Sequence, residues 1–141
     1  MLRPTSIYLI SFITMLSLQP LGLRMGNVSS TVFAAQGVFL LGNALYSILY
    51  PSSVASFEGS SLKGTPEGAV QCIGLTSLAL GTYYLISSYQ RDTTIMASSV
   101  PSRLVAAWVM YRNGGNWTRV AGFEAVMAFA ASAALLWDRC V

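Results

Sequence analysis

Histidine is absent from this chain of 141 residues. That removes the commonest general base, any triad built on an imidazole, and the usual ligation of zinc or haem. The two cysteines, Cys72 and Cys140, form neither a metal-ligand spacing nor a disulfide framework. Charge is scarce too. Only 9% of residues are Asp, Glu, Lys or Arg, against about 25% in a soluble domain. The net charge of +3 comes from scattered arginines with no basic run, which excludes a nucleic-acid partner. No glycine-rich loop of the phosphate-cradling kind occurs, so no cofactor is expected. The chemistry left to the chain must come from carboxylates, arginines, tyrosines and amides.

What is present in abundance is apolar sequence, 54% of the chain. In one domain's length this composition points to an all-α integral membrane helical bundle. Residues 118–137 (TRVAGFEAVMAFAASAALLW) organise the rest: twenty residues of helix rise roughly 30 Å, the thickness of a bilayer's hydrocarbon. Residues 31–50 and 68–88 are two further spans, and residues 93–112, interrupted by Pro101 and carrying Arg103, are the weakest of four. Residues 1–28 hold another apolar run broken by Pro20. It can be read as a cleaved signal peptide or as a first span, and an uncleaved span is the expectation. The four-helix membrane domain then covers residues 29–141.

The punctuation supports this division. Pro51 should stop the second span. Thr65 as N-cap, Pro66 at the first helical position and Glu67 at the positive end of the dipole should start the third. Residues 52–64 form a Ser/Gly loop containing Phe57, Glu58 and Lys63. Tyr83, Tyr84 and Tyr89 suit an interfacial aromatic belt. Asn27 and Asn116 head glycosylation sequons, both close to spans.

A carboxylate within a lipid span costs several kcal/mol unless it meets water or a partner. Glu124 is such a group, flanked at helical spacing by Ala121, Ala128, Ala131 and Ser132, a face small enough to sit against other helices. Arg103 is the one other charge well inside a span, so each needs the other. The pair can be a structural tie that sets helix register, or an arginine holding a working carboxylate. Helical spacing puts Gln36, Asn43 and Tyr46 on one polar stripe and Glu67, Gln71, Gly74 and Gly81 on another. Together these predict a cavity in which Glu124 is acid or base, Arg103 orients it, and Glu67 is a second carboxylate. Gln36, Asn43, Tyr46 and Gln71 would contact the substrate.

From residue 31 onward the layout resembles the small DoxX-like four-helix membrane proteins. A span ends in Tyr50-Pro51, and a loop closes on Phe57-Glu58-Gly59. A small-residue helix through Gly74 to Gly81 and a charged turn at Arg91-Asp92 follow, and an Ala-rich helix comes after Gly114-Gly115. The resemblance implies the bundle and transfers no site residue. By size, span number and lack of histidine the chain is also similar to the small membrane hydrolases of fungal polyketide pathways of the aurovertin and citreoviridin kind. That likeness implies opening of polyketide epoxides.

The expectation is therefore a cofactor-independent membrane enzyme, in the endoplasmic reticulum or another endomembrane, that hydrolyses or cyclises an epoxide of a lipophilic intermediate. Its partners would be that small molecule and the bilayer, with a homodimer or pathway enzymes also open. The rivals are a non-enzymatic scaffold that tethers pathway enzymes, whose polar stripes would close on each other, and a small transporter subunit.

Overall fold

The structure, a computed structural model, describes residues 27–141. Apart from Asn27 and Val28, the N-terminal segment lies outside the described residues, and so does the choice between span and signal peptide. Every regular element described is helical: α1 (Val28–Leu49), α2 (Pro51–Ser56), α3 (Glu67–Gln90), α4 (Thr93–Asn113) and α5 (Trp117–Cys140). The all-α bundle follows.

Glycine decides how α1 meets α3. The two run antiparallel, and a Cβ built on Gly37 would stand 3.0 Å from the Gly81 carbonyl oxygen, with the reverse contact also 3.0 Å. At the other end a Cβ on Gly74 would stand 2.9 Å from Ile48 Cγ1 and 3.2 Å from the Ala44 carbonyl oxygen. Close backbone approach of this kind is what small residues permit where lipid supplies no hydrophobic drive between helices. The Ser88 hydroxyl, donating to the Ser30 carbonyl at 2.6 Å, marks where the pair ends. Helices α4 and α5 form a second antiparallel pair, joined through a turn in which Gly114 and Gly115 adopt φ of 68° and 56°. The buried Ala121, Ala128, Ala131 and Ala134 make a smooth face on α5.

The two pairs join along α1 and α5, and at one end Asp138 is the clasp. Its Oδ1 accepts the Val28 N–H, and its Oδ2 accepts the Ser29 N–H and hydroxyl. A carboxylate from the end of α5 thus caps the start of α1, where free N–H groups and the dipole favour negative charge. This is why α1 begins at Val28, three residues before the sequence-based start. Ser29, the third residue of the Asn27 sequon, is 1% exposed. Phe33, Tyr84, Met96, Ala131 and Leu135 cluster just inside that end. The core is therefore one-sided, and the opposite end, beneath residues 57–66, is more open.

Three sequence-based readings need correction. Pro66 rather than Thr65 occupies the N-cap position of α3, and no side chain caps it. Pro51 does stop α1, but it also opens the short helix α2 where a plain loop was expected. Tyr84 is only 2% exposed and does not belong to an interfacial belt.

Three helices, α1, α3 and α5, are long and apolar enough to cross a membrane. Leu45, Leu49, Leu75, Val126, Phe129 and Leu136 point outward on them, as lipid contact requires. Helix α4 is not among the three, so four firm spans is more than the composition supports. Its serines lower its hydropathy, yet each is internally satisfied. The hydroxyls of Ser98, Ser99 and Ser102 donate to the carbonyls of Ile95, Met96 and Ser99, each at 2.7 Å.

Candidate functional site

Arg103 on α4 is 6% exposed, and it stands where α1, α3, α4 and α5 converge. Its Nη1 donates to Glu124 Oε2 at 2.6 Å, and its Nη2 to Gln36 Oε1 at 2.9 Å. Gln36 is held in turn, since its Nε2 donates to the Met127 carbonyl at 3.4 Å, which aims the amide oxygen at the guanidinium. The ring of Tyr84 lies under the same guanidinium, 5.1 Å from Cζ to centroid. Burying a guanidinium costs several kcal/mol. A carboxylate, an amide oxygen and an aromatic face offset that cost here. Nε has no hydrogen-bond partner among the described residues. Arginine suits this position because its planar fork serves two acceptors through two separate nitrogens, Nη1 on Glu124 and Nη2 on Gln36.

Glu124 differs from its partner in exposure. Its side chain is 19% accessible, and it lines a groove of about 1170 Å³ at the loop end of the bundle. Oε2 is engaged by Arg103, while Oε1 makes no hydrogen bond to the described residues. One oxygen is fixed and the other is unengaged among the described residues.

Asn43 and Tyr46 line the same groove from α1, beside Ser47. Residues 57–62 form its outer wall. Asn116 pins this wall, its Nδ2 donating to the carbonyls of Glu58 at 3.3 Å and Ser60 at 3.1 Å. The nitrogen that a glycan would occupy is thus already committed. A second hollow, about 390 Å³ and walled by Val32, Ala35, Met127 and Ala130, lies on the far side of the ion pair, with Gln36 and Arg103 at its edge. Phe39, Leu40 and Phe123 belong to both hollows, and the rings of Phe39 and Phe123 stand 5.2 Å apart between them.

Of the seven residues expected at the site, the structure brings together Gln36, Arg103 and Glu124 as a hydrogen-bonded chain, and places Asn43 and Tyr46 along the groove that Glu124 lines. It does not bring Glu67 or Gln71 there. Glu67 is exposed in the first turn of α3, and Gln71, also exposed, reaches only the Ile48 carbonyl, at 3.5 Å. Their shared spacing with Gly74 and Gly81 is real, but only the glycines sit against α1; the two polar residues precede the tightly packed stretch.

Glu58 and Arg119 were missed, and both line the groove. Glu58 is ion-paired with Lys63 at 2.5 Å. Arg119 had a legible signal: with Val120, Phe123 and Glu124 it occupies one side of α5. Its guanidinium has no partner among the described residues. Tyr84 was read as a belt residue and not as part of the site, because nothing in a run of apolar residues shows which tyrosine will meet a cation 19 positions away.

No protein-family model, no curated protein and no solved structure matches this chain.

Proposed function

We propose that this chain is a membrane enzyme, with four spans among the described residues, that works without a cofactor, opening an epoxide of a lipophilic polyketide-type intermediate in the endoplasmic reticulum or another endomembrane. The observation that carries the reading is the posture of Glu124: one oxygen clamped by Arg103, the other unengaged, at the wall of a groove large enough for a small organic molecule. The fourth span in this reading is α4. It is 21 residues long, antiparallel to α5 and packed along it, and Arg103 within it is neutralised by Glu124.

The chemistry needs a base, a polarised oxygen and a nucleophile. Glu124 takes a proton from water as the water oxygen bonds to an epoxide carbon, and the carbon–oxygen bond of the ring breaks. The Tyr46 hydroxyl hydrogen-bonds the departing oxygen, which ends protonated as Glu124 returns its proton through the groove. With a substrate hydroxyl in place of water the same steps give an oxygen heterocycle. Arg103 holds Glu124 in place and orients it. Glu67 has no part in this scheme; Glu58 is the second carboxylate of the groove. A scaffold with polar stripes closed on each other would need no such opening, so the groove favours the enzyme.

The test is Glu124→Gln expressed in the native host. Loss of one oxygenated product with accumulation of an unopened precursor, at wild-type protein level, is the expected result. An unchanged metabolite profile would sink the proposal.

A further inference from the structure

We infer that Asn43 of α1 and Ser77 of α3 together hold an uncharged carbonyl oxygen of the ligand, about one helical turn along the groove from Glu124. This rests on the groove being the substrate site, as proposed above. It adds the class of molecule that fits: a lipophile with a second, neutral oxygen function besides the one at Glu124.

Away from the helix ends, the hydroxyls of Thr76, Thr82, Ser98, Ser99, Ser102 and Ser132 each donate to a carbonyl three or four residues back in their own helix. Ser77, also in mid-helix, does not. Its hydroxyl makes no hydrogen bond among the described residues, and neither does the Asn43 amide. Both line the groove, in helices long and apolar enough to cross a membrane. An amide or hydroxyl left unpaired at hydrocarbon depth is costly, and no contact in the fold offsets that cost here. The partner of these two groups is therefore whatever fills the groove.

Helix packing brings the two to the same height. Gly37 meets Gly81, and Gly74 meets Ala44, across the antiparallel pair. That puts Ser77 level with Leu41, about 3 Å in height from Asn43. On the facing wall Gln36 bonds to Met127 and Phe39 packs on Phe123, so α5 passes Glu124 close to the height of Phe39. Asn43 follows Phe39 by a turn, about 6 Å toward the loop end. The wall formed by α1 and α3 carries no charge, because the ionised groups of the groove, Glu58, Arg119 and Glu124, belong to the loop and to α5. Two neutral donors, an amide N–H and a hydroxyl, match the two lone pairs of a carbonyl oxygen. Leu40 and Ile73 beside them suit an apolar body.

The first measurement is thermal unfolding of the full chain in phosphatidylcholine nanodiscs. Asn43→Leu and Ser77→Ala should each melt at or above the wild-type temperature, since each removes an unpaired polar group. A lower melting temperature for either would make the residue structural and overturn the inference. The second measurement photolyses an alkyl ketone carrying a chain diazirine in the same nanodiscs, beside the matching alkane diazirine, and maps the adducts by mass spectrometry. The ketone is expected to label peptides containing Asn43 or Ser77, and either substitution should lower that labelling about fivefold, the scale of one neutral hydrogen bond. Asn43→Asp, with the same shape and no donor, should lower it as far. The alkane should label weakly, and equally in all variants. Equal labelling by ketone and alkane, or ketone labelling indifferent to both Asn43→Leu and Ser77→Ala, would overturn the inference and leave water as the partner of these groups.

The two proposals fail separately. A product lost in Glu124→Gln but made at wild-type level in Asn43→Leu and Ser77→Ala would keep the enzyme and remove the carbonyl contact. An unchanged metabolite profile in Glu124→Gln, with ketone labelling that depends on Asn43 and Ser77, would keep the binding assignment and remove the enzyme.

Discussion

Gly37 and Gly81 face each other so closely that a Cβ on either would stand 3.0 Å from the carbonyl oxygen of the other. Two helices meet backbone to backbone here, and Leu85 and Leu40 close the space around the contact. Either Gly37→Ala or Gly81→Ala should cost about 1–3 kcal/mol, the usual range for overpacking a tight contact. Gly42 is the control: a Cβ there meets nothing within 4 Å. Gly42→Ala should therefore be neutral or mildly stabilising, since alanine is the better helix former. Thermal unfolding in detergent separates the cases.

Arg103 should tolerate loss of its partner less well than loss of its partner's charge. Glu124→Gln retains an acceptor oxygen for Nη1, whereas Glu124→Leu leaves the buried guanidinium facing a methyl group. Removing one member of a buried pair costs about 3–5 kcal/mol, and partial exposure of Glu124 places this case at the lower end. The leucine variant should thus fall in expression and melting temperature well below the glutamine variant. Equal losses in the two would contradict the geometry described for Arg103.

Asp138 joins the far end of α5 to the start of α1, accepting from Val28 and Ser29. Asp138→Ala should cost about 1 kcal/mol, as loss of an N-cap does. Ser29→Ala should cost less, since it leaves both backbone bonds in place. A double-mutant cycle by unfolding should return a coupling between the two.

Asn116 ties the groove wall down through Glu58 and Ser60. Asn116→Ala should free residues 57–64 and expose the bond after Lys63, so limited trypsin digestion should cut there faster than in wild type. Glycosidase treatment of the wild-type protein should leave its mobility unchanged, because the Asn116 amide is engaged and the Asn27 sequon has its serine buried under Asp138.

Periodicity and composition carried a large part of this description. A helix buried on one side repeats its small or polar residues every third or fourth position whatever it faces. So the glycine face of α3, the alanine face of α5 and the stripe through Gln36, Asn43 and Tyr46 were all legible. The pairing of Arg103 with Glu124 was legible as well, because a lone charge in a span has few alternatives and only one partner was on offer.

What periodicity cannot say is which helix a face meets and at what height. That is why Glu67 and Gln71, in phase with Gly74 and Gly81, turned out to lie on the exposed surface, while Tyr84 stacks under a guanidinium. By itself the sequence determined an all-helical chain, its span-length helices and the need to neutralise a buried charge, since these follow from local hydropathy and from the cost of burying ions. Only the tertiary structure decided that α1 takes its N-terminal cap from Asp138, that the core closes at one end, and that a groove stays open beside Glu124 at the other. Those features depend on distances between residues far apart in the chain, and backbone packing sets such distances where side-chain pattern does not.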